Sequence, residues 1–172
     1  MDRDVFYEGR GRLVSAVMAD ASELAPYVRE SEMREMAFFE GGTIEERIRL
    51  SIERSEKAFA FLSEEGTVLI LCGVAPLERT SCVSRRLGLL AGRCGLPWAL
   101  SRPEASGYKL EVVGRAAPTF FREIKAGYDH LTCWAGGWMT ELFKLFARHD
   151  FFPAERAEYM GETLVRMEWR RM

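Results

Sequence analysis

Apolar and polar residues alternate along some stretches of this chain, run together in others, and elsewhere recur every third or fourth position. Each pattern predicts a different element. Arg12-Leu-Val-Ser-Ala-Val-Met18 is β-branched and apolar and stops at Asp20, which predicts a first strand. Asp20-Ala-Ser-Glu23 has the form of a capping box, with an N-cap carboxylate for the first-turn amides and a Glu that reaches back to it. Pro26 falls where a helix interior should be, so residues 21–39 are expected to kink or to break into two short helices. A cleaner helix follows. Thr43-Ile-Glu-Glu46 is a second capping box, Ile44, Ile48 and Ile52 form one apolar stripe, and Glu45, Arg49 and Glu53 recur every fourth residue on the other face.

The helical period then gives way to a strand period. Residues 57–63, the turn Glu64-Glu65-Gly66 and residues 67–75 predict a hairpin, whose nearly all-apolar second strand is expected at the sheet's centre, buried on both faces. Leu96-Pro-Trp-Ala-Leu100 and Tyr108-Lys-Leu-Glu-Val-Val113 are two further strand candidates, the latter the stronger, and one or both continue the sheet. Pro118 suits the first turn of a helix over residues 119–128, followed by a short strand over 130–134. Trp138, Leu142, Leu145, Phe146 and His149 share one face of a helix ending near Asp150. Residues 156–160 and 163–169, joined through Gly161-Glu162, read as a closing hairpin. The expected fold class is α/β, a mixed sheet of order β-α-α-β-β-β-α-β-α-β-β in three αβα layers. No linker or repeat divides residues 1–172, so one domain is expected.

Composition narrows the function classes. With 48% hydrophobic and 29% charged residues and a net charge of −2, the whole chain has no electrostatic pull toward nucleic acid or an anionic membrane. Cys72, Cys82, Cys94 and Cys133 form no Cys-x-x-Cys pair and His130 and His149 are not spaced with them as zinc ligands, so no metal site is expected. The opening MDRDVFYEGRGR is charged where a signal peptide is apolar, and no apolar run is long enough for a membrane span, which makes a cytoplasmic location the expectation. Charge is uneven along the chain. Arg79, Arg85, Arg86, Arg93 and Arg102 lie in a stretch without Asp or Glu, whereas residues 20–65 are rich in acids. That basic segment could pair with the chain's own acidic helices, contact a partner protein or meet a phosphate; with Trp98 as its only aromatic residue, it is a poor single-strand stacking platform.

The element order resembles the GNAT acyltransferase fold. ASELAPYVRESEMREM, the hairpin end CGVAPLE, GLPWAL and the helix ending ARHDFF are similar to the GNAT-like proteins of tailed phages and prophages. This resemblance implies a phage or prophage origin, acyl transfer from acetyl-CoA to a small amine or protein amine, and as the alternative a non-catalytic protein-binding or virion-assembly role. It also implies a Gln/Arg-x-x-Gly-x-Gly/Ala loop that opens a helix and grips the pyrophosphate through backbone amides. Arg85-Arg-Leu-Gly88-Leu-Leu90 begins that pattern, but Leu90 departs from it and Gly92, Gly95 and Pro97 leave no room for the helix. The expected strand-to-helix position falls at Gly114-Arg115-Ala116-Ala117-Pro118-Thr119, a degenerate version in which Gly114, Arg115, Ala116 and Thr119 are the candidate cofactor contacts. An ordinary helix start fits the same residues.

Amine acetylation needs a base, donors for the oxyanion and an acid for the thiolate. Glu111 is the candidate base if it faces a cleft; it reads equally as the outward residue of an alternating strand. Tyr159 and Tyr128 are candidate phenol acids, each also fitting an apolar stripe. His149 reads as a cation at a helix C-terminus and His130 as a loop residue. No Gly-x-Ser-x-Gly elbow, His-Glu-x-x-His pair or Walker loop occurs, which removes those hydrolase and nucleotidase classes.

Overall fold

The computed structural model describes residues 3–36, 42–77 and 92–171. In chain order the elements are β1 (Val5–Glu8), β2 (Arg12–Ser15), α1 (Met18–Leu24), a 3-10 turn (Ala25–Tyr27), α2 (Glu30–Met36), α3 (Ile44–Arg54), β3 (Lys57–Leu62), β4 (Val68–Pro76) and β5 (Cys94–Ser101). A helical segment over 103–126 follows, ending in α4 (Ala117–Ala126), and then β6 (His130–Gly136), α5 (Thr140–Ala147), β7 (Phe152–Tyr159) and β8 (Glu162–Arg170). The strands form one sheet in the order β1-β2-β3-β4-β5-β6-β8-β7, antiparallel except where β5 meets β6. Among the described residues no helix is long and apolar enough to cross a membrane.

Period-two alternation puts one core on each face of the sheet. Phe59 and Phe61 of β3 pack with Phe120, Phe121 and Ile124 of α4, while Ala60 and Leu62 pack with Leu24 of α1 and Ile48 and Ile52 of α3. β4 serves both cores, Cys72 and Val74 entering the first and Val68 and Leu71 the second, as its apolar run predicts. The closing hairpin turns through Met160 and Gly161, both at positive φ (51° and 80°), which matches the right-handed twist of the flanking strands.

Capping is observed at both predicted helix starts, in one case with different partners. At α3, Thr43 Oγ1 accepts from the Glu46 N–H (3.2 Å) and Glu46 Oε2 from the Thr43 N–H (2.7 Å). At α1 the helix begins earlier than expected. Asp20 is its third residue, accepting the Val17 N–H at 2.8 Å and held by Arg3 at 2.7 Å, so it is not the N-cap. Glu23 reaches instead to the Val68 N–H of β4, at 2.7 Å. Pro26 does break the helix, leaving the 3-10 turn between α1 and α2.

The expected strand over residues 108–113 is helix. Pro103 opens a 3-10 turn (Pro103–Tyr108), Lys109–Glu111 makes one α-turn, and Val112–Ala116 is a π-turn that runs into α4. The alternation in Lys-Leu-Glu-Val suggested a strand, but Leu110 is 91% exposed and buries nothing. Pro118 thus lies inside a continuous helical segment, where it cannot bond the Gly114 carbonyl and its ring crowds that group. The wider π-turn just before it takes up the misfit. β1 was also not expected; Val5-Phe-Tyr-Glu8 shows no alternation of apolar and polar residues.

Candidate functional site

β5 and β6 start as parallel neighbours and then separate. They pair only at Cys94↔His130 and Gly95↔Leu131, while β5 stays on β4 as far as Ser101 and β6 stays on β8 along its length. The phase of the β4–β5 ladder shows which backbone groups this separation uncovers. Arg102 N–H donates to Leu69 O (3.0 Å) at one end and Leu77 N–H to Cys94 O (2.9 Å) at the other. Hydrogen-bonded pairs alternate in an antiparallel ladder, so Leu100 and Trp98 bond inward to β4, while Ser101, Ala99 and Pro97 face the side that β6 has left. Pro97 has no N–H. Ser101 is satisfied by α2: its N–H donates to Glu32 Oε2 and its hydroxyl to Oε1, both at 2.6 Å, and its carbonyl accepts the Arg29 N–H at 3.0 Å. Ala99 is exposed although its strand lies inside the sheet, and its N–H and C=O face the gap.

The gap is a cavity of about 570 Å³. Its helical wall carries Ser106, Lys109, Val112 and Ala116; the opposite wall is Trp138 and the first turns of α5; Arg29, Ser31 and Glu32 close one end; and Phe61, Ile70, Cys72 and Phe120 line its apolar floor. Trp138 Nε1 donates to Ser31 O at 3.4 Å, which links two of these walls. Lys109 and Lys144 both reach Glu141, at 3.4 and 2.6 Å, and with Arg148 also lining the cavity this side is net positive. Glu32 is 8% exposed, and burial pushes its carboxyl above the usual range against the pull of the Ser101 bonds and the Arg29 charge. The Cys72 thiol is pushed by burial up to about 12, so it serves the floor as an apolar contact. At Gly107, where the helical segment opens, an added Cβ would meet nothing within 4 Å, so that turn presents an open flank.

Solved structures share this fold. The chain matches a GNAT superfamily phosphinothricin acetyltransferase from Sinorhizobium meliloti in complex with AcCoA, with a TM-score of 0.66 and 16% identity, over 94% of this chain and 89% of that one. It matches a spermidine N-acetyltransferase from Vibrio cholerae in complex with CoA and spermine with a TM-score of 0.62 and 12% identity, over 95% and 96%. A third match is the ribosomal-protein-S5-alanine acetyltransferase from Vibrio fischeri, with a TM-score of 0.62 and 14% identity, over 96% of each chain. The fold is that of the GNAT acetyltransferases. No protein-family model matches the sequence, and no curated protein matches it.

Within this GNAT fold the strand-to-helix turn after β5 is at residues 102–108, ahead of the Gly114–Thr119 stretch expected to hold a cofactor. Gly114 and Arg115 are exposed on the π-turn and Thr119 is buried; of the four candidate contacts, Ala116 alone lines the cavity. Arg102-Pro-Glu-Ala-Ser-Gly107 nearly repeats the phosphate-loop spacing, yet its arginine is 7% exposed, stacks 4.0 Å from the centre of the Tyr27 ring, and lies outside the cavity. Glu111 faces the β1–β2 hairpin, accepting from the Tyr7 hydroxyl (2.8 Å) and the Gly11 N–H (3.1 Å). Desolvation pushes its carboxyl up, but those donors and Arg10 together hold it below the usual range. Tyr159 is 49% exposed at the end of β7, outside the lining, and Tyr128 is a core residue whose hydroxyl donates to Glu56 at 2.9 Å. Glu32, Ser101 and Ala99 were not singled out in the sequence.

Several charged side chains outside the cavity are paired within the chain. Of the basic segment, Arg93 bonds Glu56 in the loop after α3 and Arg102 pairs with Glu104 at 3.6 Å; Arg79, Arg85 and Arg86, with the glycine-rich stretch 84–91, lie outside the described residues. His149 is not a helix-end cation. It stacks on Phe121 at 4.2 Å, and burial, followed by Lys125, lowers its pKa. His130 opens β6, buried beside Glu168 at 3.4 Å, and burial lowers its pKa although the carboxylate opposes this. Both imidazoles ionise less readily folded than unfolded, so their contribution to stability is complete above their ordinary value of 6.5 and is lost as pH falls below it. Urea midpoints are therefore expected to fall between pH 7 and 5, and to fall less in His130→Gln; an equal fall in that variant removes His130 as a cause.

Proposed function

We propose that the chain is an N-acyltransferase that moves an acetyl group from acetyl-CoA to an amine in the cleft between β5 and β6. The free edge at Ala99 carries this reading. An extended, amide-bearing chain can add to such an edge as another strand would, and the pantetheine arm of CoA has that chemistry. The Ala99 N–H, fixed by the β4–β5 ladder, would then donate to the thioester oxygen at the end of that arm and stabilise negative charge developing there without reorganising. Lys109, Lys144 and Arg148 would hold the phosphates, and Gly107 leaves the turn between them and β5 open to close approach. Acetyl-CoA, when bound, supplies the activated acetyl group. The GNAT-fold complexes with AcCoA and with CoA support this assignment.

The acceptor on this reading is a small amine or a protein amine. A phage or prophage origin rests on the short sequence similarities, and a partner protein on the Arg79–Arg102 segment rests on its run of arginines without Asp or Glu. Calorimetry with acetyl-CoA tests the assignment. Saturable binding at sub-millimolar ligand is expected, weakened about tenfold in Lys109→Ala/Lys144→Ala. The doubly substituted protein should also show a shallower salt dependence. Absence of binding by the unsubstituted chain would sink the enzyme reading in favour of a scaffold.

A further inference from the structure

One end of the cavity carries two opposite charges on neighbouring turns of backbone. Arg29, immediately before α2, and Glu32, in its first turn, both line the cavity. The same strand end fixes both. Ser101 binds the Glu32 carboxylate through its N–H and hydroxyl, each at 2.6 Å, and the Arg29 Nε donates to the Arg102 carbonyl at 3.4 Å. Among the described residues no ion pair joins the two, although the Arg29 charge is felt at Glu32. Each Glu32 oxygen spends one lone pair on Ser101 and Arg29 spends its Nε on Arg102, so the second lone pairs of the carboxylate and the terminal guanidinium nitrogens are what this end of the cavity can offer a ligand's counter-charges.

We propose that this end of the cavity recognises a zwitterion: the acceptor is a free amino acid or close analogue, its ammonium received by Glu32 and its carboxylate by Arg29. The proposal rests on the acetyl-transfer reading above and names its acceptor. The apolar floor of Phe61, Ile70 and Phe120 selects an apolar side chain. In the reaction Glu32 takes one proton from the ammonium, which frees the nitrogen lone pair to form the C–N bond. The electron pair of the broken C–S bond leaves with sulfur, which takes the second N–H proton, and Glu32 returns its own proton to water. The products are the N-acetyl amino acid, the free thiol and one proton.

Binding can be measured without the acyl donor, so this inference and the acetyl-transfer reading can fail separately. Calorimetry would compare L-phenylalanine with phenethylamine, which lacks the carboxylate, and with 3-phenylpropanoate, which lacks the ammonium. The amino acid is expected to bind at least about tenfold more tightly than either. Arg29→Gln should abolish its advantage over the amine with an unchanged melting temperature; Glu32→Gln, which sets an amide NH2 against one of the two Ser101 donors and so lowers the melting temperature, should abolish its advantage over the acid when binding is measured below the onset of melting. Equal binding of phenethylamine, or discrimination that persists in Arg29→Gln, overturns the proposal. So does a failure of both L-phenylalanine and L-leucine to bind at millimolar concentration. If the amino acid is discriminated but acetyl-CoA does not bind, the acetyl-transfer reading falls and this recognition stands.

Discussion

Ala99→Pro is expected to cost acetyl transfer about two to three orders of magnitude in rate while leaving the protein folded. The substitution removes one backbone N–H, and the ladder phase places that N–H toward the cleft. β4 loses no bond, and the preceding Trp98 is already extended, as a residue before proline prefers to be. A proline one position on should behave differently. Leu100→Pro removes an N–H that bonds β4 and puts a ring into the ladder, which is expected to destabilise by about 3 kcal/mol. Steady-state rates and acetyl-CoA titrations on the two variants, with thermal melts beside them, make the comparison. Full activity in Ala99→Pro would mean that the free edge holds nothing.

Glu168→Ala is expected to destabilise the fold by about 3–5 kcal/mol, the cost of stranding buried charge. Glu168 is 1% exposed on β8, bonded by Arg166, by Arg170 at 2.8 Å and approached by His130 at 3.4 Å. Removing it leaves the Arg166 guanidinium, 11% exposed, with Glu155 at 3.0 Å as its remaining carboxylate. Burying an ion pair contributes little net stability; breaking one does the damage, because desolvation has already been incurred. Arg166→Met/Glu168→Met should therefore recover most of the loss. Urea denaturation of the single and double variants reads both effects, and a single-variant loss below about 1 kcal/mol would show that water reaches this cluster.

What could be read from the sequence was local. The Thr43 capping box, the β3–β4 hairpin and the β7–β8 hairpin are each specified by residues close together in the chain, and each formed, although β7 begins at Phe152, four residues ahead of the expected start at Arg156. The 108–113 stretch failed because an alternation of Lys, Leu, Glu and Val satisfies both periods over so few residues. Its neighbour Pro103, a good first-turn residue, was the better guide. The site was mostly hidden for a physical reason. Glu32 in ESEMREM looks like a solvated helix residue, and only Ser101, 69 positions away, makes it a buried one. Ala99 acts through its backbone, which no side-chain pattern can report. Ala116 was singled out and does reach the cavity, but as helix wall and not as the strand-to-helix turn expected of it.

The two parts of the sheet are tied together unequally on their two faces. On the α4 and α5 side one apolar cluster runs from Phe59 and Cys72 across to Leu131, Val165 and Met167, so both parts share a continuous core. On the α1 and α3 side the described apolar cluster ends at Trp98 and Leu100 of β5 and includes nothing from β6 or β8. The strands themselves pair only at Cys94↔His130 and Gly95↔Leu131, so among the described residues the apolar core that spans both parts lies on the α4 and α5 side. Phe120, Phe121 and Phe146, which belong to the core shared by the two parts, also line the cavity, so the side chains that join the halves of the sheet are the ones that shape the cleft between them.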